Sequence, residues 1–177
     1  MTRRLLGVLL TAVALSGCGA ASNVQPATFP PQSFGPSRVP TGAAAATRAV
    51  VSQALGTKHI QLRDAQVVFR PPESPQLTAA PRLVAQAVIP EDPNHGYISI
   101  YEFADVSAAT AAGREEATFI ASGPGRVQFT ADTRFVLRQV GQTLVFFTWS
   151  PGSTSDADFA SIQEALETVG VAVPIPS

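Results

Sequence analysis

The apolar positions of this chain fall into blocks with different periods. Residues 5–15, LLGVLLTAVAL, form an unbroken apolar run of eleven. Residues 19–41, GAASNVQPATFPPQSFGPSRVPT, have no apolar period, and Pro26, Pro30, Pro31, Pro36 and Pro40 exclude a helix. From residue 42 onward, periodic segments alternate with turn signals. Residues 42–56, GAAAATRAVVSQALG, predict a helix with Thr41 as N-cap and Gly56 as stop, burying Ala46, Val50, Val51 and Leu55. Residues 62–70 and 82–90 predict strands, joined by a loop in which Pro71, Pro72 and Pro75 exclude a central strand. PEDPNHG at 90–96 is a dense turn signal. YISIYEF at 97–103 is the clearest strand, with Ile98 and Ile100 on one side and Tyr97, Tyr101 and Phe103 on the other.

The second half repeats the logic without repeating the sequence. Asp105 caps a helix running to about Ala121, with Glu115 and Glu116 on its exposed face, and Gly123-Pro124-Gly125 stops it. Residues 126–130 predict a short strand. Residues 134–140 and 143–149 predict a hairpin around Gly141-Gln142. Ser155-Asp156-Ala157-Asp158 opens a last helix in the manner of a capping box. Phe159, Ile162, Leu166 and Val169 form its apolar stripe, Gly170 ends it, and residues 171–176 supply a candidate edge strand. Hairpin connections dominate. The expected fold is therefore a single α+β domain: a mainly antiparallel sheet of five or six strands packed with about three helices.

Three regions follow from this pattern: residues 1–17, residues 18–41 and a globular domain at 42–177. About 135 residues suffice for one ordinary core without disulfides. The middle region reads as a disordered or polyproline-like tether. Its 23 residues after Cys18 reach roughly 25 Å as a coil and at most ~70 Å when extended. Phe29 and Phe34 are unusual in such a stretch; tolerance of single exposed apolar residues accounts for them, and docking onto the domain or a bilayer is the alternative.

Charge removes one class of function. Twelve basic and thirteen acidic side chains give a net charge of −1. Taking away Arg3 and Arg4 leaves −3, so no basic field remains to attract nucleic acid. Cys18 is the single cysteine. The folded part therefore has no thiol for a disulfide, a nucleophile or a metal, which suits an oxidising exterior.

Arg3 and Arg4, the eleven-residue apolar run and Leu15-Ser16-Gly17-Cys18 stand in the order of an export signal. The run is too short to span a bilayer as a helix, which takes roughly 20 residues. Leu15, Ser16, Gly17 and Cys18 resemble the lipobox of bacterial lipoproteins. That resemblance implies cleavage before Cys18 and lipid on its thiol, so that the membrane is a partner through Cys18. Arg3-Arg4 followed by Leu5-Leu6 also faintly resembles a twin-arginine signal. Gly19 stands where inner-membrane retention would call for Asp.

A second resemblance covers residues 97–170. Ile100-Tyr101-Glu102-Phe103 with Asp105 and its Ala-rich helix, then Thr143-Leu144-Val145-Phe146, then Ala165-Leu166-Glu167 with Gly170, are similar to a family of uncharacterised bacterial extracytoplasmic proteins. The Pro-His-Phe segment of that family before the hairpin is missing here. The resemblance implies a strand–helix–hairpin–helix order and carries no function with it.

Catalytic and metal motifs are not found. Glu91-Asp92-Pro93-Asn94-His95 is the one cluster of oxygen and nitrogen ligands and lacks metal-loop spacing, so it reads as a solvated turn. His59 has no nucleophile beside it in sequence. Of Glu102, Asp105, Glu115 and Glu116, Asp105 reads as a cap and the glutamates of the helix as a solvated face; a paired acid–base site would need two of them opposed in a cleft. Tyr97, Tyr101, Phe103, Phe129, Phe146, Phe147 and Trp149 read mostly as core, with an apolar pocket as the alternative. No cofactor, metal or catalytic residue is expected. The sequence reads as a lipid-anchored extracytoplasmic domain, a non-catalytic binding module with an unnamed envelope partner. An unrecognised hydrolase or an apolar-ligand carrier is the alternative. An enzyme calls for a cleft of converging His or carboxylate groups with shifted pKa values, and a carrier for a deep apolar cavity.

Overall fold

The computed structural model describes residues 42–153 and 157–176. The expected export signal, Leu15 to Cys18, the expected tether and the expected caps at Thr41 and Ser155-Asp156 lie outside the described residues. The elements run α1 (Gly42–Gly56), β1 (Leu62–Asp64), α2 (Pro75–Ala79), β2 (Arg82–Ala87), β3 (Tyr97–Glu102), α3 (Val106–Ala121) and α4 (Gly123–Arg126). They continue with β4 (Arg134–Val140), β5 (Thr143–Trp149), α5 (Ala157–Glu167) and β6 (Val171–Ala172). The fold is α+β, as the pattern predicts: one six-stranded antiparallel sheet in the order β1-β2-β3-β5-β4-β6, with three long helices and two short ones.

Alternation along the strands makes two cores, one on each face. Ile98 and Ile100 of β3 join Val136, Val145 and Phe147 under α1 and α5. Tyr101 joins Leu137, Leu144 and Phe146 under α3. The β4–β5 hairpin turns at Gly141, whose φ of 55° is the left-handed value a two-residue turn takes. The Asp105 carboxylate accepts from the Ala108 N–H at 2.8 Å and starts α3. Phe159, Ile162, Leu166 and Val169 are buried as the stripe requires. Gly170, at φ 54°, ends the helical segment where a Cβ would run into the Gln139 carbonyl oxygen. Arg138 donates to the Val169 and Gly170 carbonyls at 2.7 and 3.0 Å and so closes that end.

Four expectations are corrected. α1 buries Ala44, Thr47, Val51 and Leu55, leaving Ala46 and Val50 exposed. Thr47 belongs inside because its hydroxyl lies 2.7 Å from that of Thr143. The strand expected at 62–70 ends at Asp64; Val67 and Val68 face solvent, while Ala65 and Phe69 are half-buried. Residues 126–130 form no strand. The Ser122 hydroxyl accepts from the Gly125 N–H to start α4, and local bonds from Gln128 to Gly125 and Phe129 to Arg126 follow. Glu116 is fully buried and Glu115 half-buried, because the short α2 covers the face of α3 that carries them.

Candidate functional site

A groove of about 250 Å³ opens where β3 begins and β5 ends. Its walls are aromatic. Phe69 stacks on Tyr97 with ring centroids 4.6 Å apart, and Trp149 stacks on Phe159 at 5.9 Å. Phe129 lines it too, held edge-on by Phe135 at 4.9 Å. Trp149 is fixed further by donating its indole N–H to the Gln163 side chain at 2.9 Å. Such stacked and hydrogen-bonded rings keep one orientation and give a flat, apolar surface.

The polar side of the groove is built from two turns. Thr130 donates to the Ser150 hydroxyl at 3.0 Å, and Ser150 donates to Asp132 at 2.6 Å. The Asp132 carboxylate also accepts from the Gly152 N–H at 2.5 Å. The Ser150 hydroxyl, then the Gly152 amide and Thr130, hold its pKa down at about 2. His95 lines the groove too, 56% exposed at its side chain, with Nδ1 2.6 Å from Asp92. Buried Gln86 positions this turn by donating to the Pro93 and His95 carbonyls, each at 2.8 Å, while Arg63 holds its oxygen. Gly96 follows at φ 81°, where a Cβ would lie 2.9 Å from the Ala87 carbonyl oxygen. The turn was legible in the sequence; Gln86, inside a predicted strand, gave no signal of its role.

A second polar cluster lies elsewhere and lines no part of the groove. The Glu73 carboxylate, 1% exposed, takes Arg82 at 2.6 Å and the Tyr101 hydroxyl at 2.6 Å, with Arg70 at 3.5 Å. Burial, then the Glu73 charge and hydrogen bond, push the Tyr101 hydroxyl well above its ordinary pKa. Glu116 accepts from the Ser74 N–H at 2.7 Å, and Glu115 from the Gln76 N–H at 3.2 Å. Burial raises the Glu116 pKa, the Ser74 bonds oppose that, and the charges of Glu73 and Glu115 add to it. These acids hold the chain at residues 73–76 onto α3 and β3. Glu102, also buried, accepts from the Ala44 N–H at 3.1 Å near the start of α1, where a negative group is favoured.

The expected aromatic set therefore divides. Tyr97, Phe129 and Trp149 line the groove, Tyr101, Phe146 and Phe147 are buried in the cores, and Phe103 packs half-buried beside α3. His59 lies outside the groove, at a φ of 60° after α1. A second depression, of about 500 Å³, runs between β4 and the tail from Ala172 to Ile175 and lacks the aromatic stacks. Among the described residues, no three His, Cys, Asp or Glu side chains group as metal ligands, and no helix is long and apolar enough to cross a membrane.

No protein-family model, curated protein or solved structure matches the chain.

Proposed function

We propose that this chain is a lipid-anchored extracytoplasmic domain that binds an envelope component without transforming it, and that the aromatic groove is its ligand site. The observation that carries the site is the meeting of two ring stacks with a fixed set of hydroxyls and an imidazole in one open concavity. Ligand sites are typically such concavities, mostly apolar with a few placed polar groups. The anchor rests on Arg3-Arg4, the apolar run and Leu15-Ser16-Gly17-Cys18 in the sequence. The tether would then hold the domain within tens of ångströms of the bilayer, on the extracytoplasmic side.

The non-catalytic part rests on where the titratable groups are. Tyr101 and Glu116, whose pKa values are raised, are buried and engaged with the chain at 73–76, and Asp132, whose pKa is lowered beside the groove, is held as the acceptor of Ser150 and the Gly152 amide. An envelope hydrolase is the second reading, and the Asp92–His95 pair favours it: an imidazole oriented by a carboxylate is half of a general-base system. The Ser150 hydroxyl, which also lines the groove, donates its proton to Asp132. The apolar-carrier reading suits the groove less, because a carrier encloses its ligand.

The test is a pull-down from envelope extract with the lipidated protein, wild type against a His95→Ala/Thr133→Ala variant. A component retained by the first and lost by the second supports the reading. Equal retention by both, or retention by neither, refutes the groove as the ligand site.

A further inference from the structure

Taking the groove as the ligand site, we infer that its ligand is a neutral pyranose residue of a glycan. The ring stacks supply the first argument. Phe69 stacks with Tyr97 and Phe159 with Trp149, and all four rings line the groove, so its walls are rigid and apolar. The C–H bonds on one side of a pyranose carry small positive charge and meet the negative face of such a ring. The rim supplies the second. His95, Thr130, Thr133 and Ser150 stand around the rings. The Thr130–Ser150–Asp132 chain gives its hydroxyls a fixed sense of donation. The Thr130 and Ser150 protons are spent in that chain and Thr133 lies 2.8 Å from the Thr130 hydroxyl, so the rim meets sugar hydroxyls chiefly with the lone pairs of its oxygens.

Charge and size exclude the competitors. Among the described residues lining the groove there is no Lys, Arg, Asp or Glu, and the Asp132 carboxylate behind Ser150 is taken up by the Ser150 hydroxyl and the Gly152 amide. An acyl chain would cover the remaining lone pairs of the rim hydroxyls and take them from water without offering a donor. The volume of about 250 Å³ lies below the ~300–1,000 Å³ of sites for drug-sized ligands. One sugar ring fits, with the rest of its chain outside.

The single tryptophan of the chain is Trp149, so its emission reports on the groove. The lipidated mature protein, in a zwitterionic detergent, would be titrated with cellobiose, maltose, mannobiose and chitobiose, and separately with p-cresol, with calorimetry alongside. The expected result is a saturable emission change with at least one disaccharide. Thr133→Ala and His95→Ala should each weaken that binding at least tenfold while circular dichroism and urea midpoints stay unchanged. Saturable binding of p-cresol with no response to any disaccharide overturns the sugar assignment and leaves the groove as the ligand site. Silence from every probe overturns both. A disaccharide response unaltered in both variants places the sugar elsewhere and overturns the inference.

Discussion

Replacing Leu166 by Ala tests whether α5 closes the core. Leu166 is fully buried, on the stripe that packs with Val136, Val145 and Phe147 of the sheet. The substitution removes three carbons, worth about 2.4 kcal/mol at ~0.8 kcal/mol each. A cavity term adds to that. The sheet side cannot move inward, because β4 and β5 are paired through seven registered positions. The site therefore collapses little, and the total should reach about 3–5 kcal/mol. Glu164, on the opposite side of the helix, is exposed and holds only the Lys58 ammonium, at 2.7 Å, so Glu164→Ala should change stability little. The assay is urea unfolding of the chain from residue 18 onward with Cys18→Ser, comparing midpoints at unchanged m-value. Small and equal losses for the two variants would mean that α5 is peripheral and that the Phe159-to-Val169 stripe does not organise the core.

The remaining predictions concern three other positions. Cys18→Ala should leave an unprocessed precursor that takes up no labelled palmitate; normal processing and membrane retention would refute the anchor. Gly170→Ala should destabilise by more than ~1 kcal/mol, since φ 54° and the Gln139 carbonyl both oppose a side chain there, and thermal melts would read it. The native state binds the Glu116 proton more tightly than the unfolded chain does, because burial raises its pKa. Its contribution should thus be most favourable below the ordinary Glu pKa and fall as pH rises through the raised one. Glu116→Gln should flatten that limb of a stability–pH profile; an unchanged slope would show that Glu116 ionises as freely as in the unfolded chain.

Periodicity alone gave the clearest elements: the α3 cap at Asp105, the Gly141 hairpin, the α5 stripe and the opposite faces of Ile98 and Tyr101. Each depends on a short-range rule, a cap, a turn or a period, that local residues satisfy by themselves. Charge and the lone cysteine were likewise legible, since they are sums over the chain. Tertiary structure decided where local patterns were ambiguous or silent. Residues 65–70, AQVVFR, read as the continuation of a strand, yet the registered pairing of β1 ends at Asp64, and Val67 and Val68 remain in solvent. Glu116 looks like a solvated helix residue until α2, a five-residue helix, is laid over it. The groove is the plainest case. Phe69, His95, Phe129, Trp149 and Phe159 come from five separate stretches of sequence, and only the β2–β3–β5 pairing with α5 behind it brings their rings together. No local period encodes such a meeting, because a concave site is a property of distances between elements rather than of spacing within one.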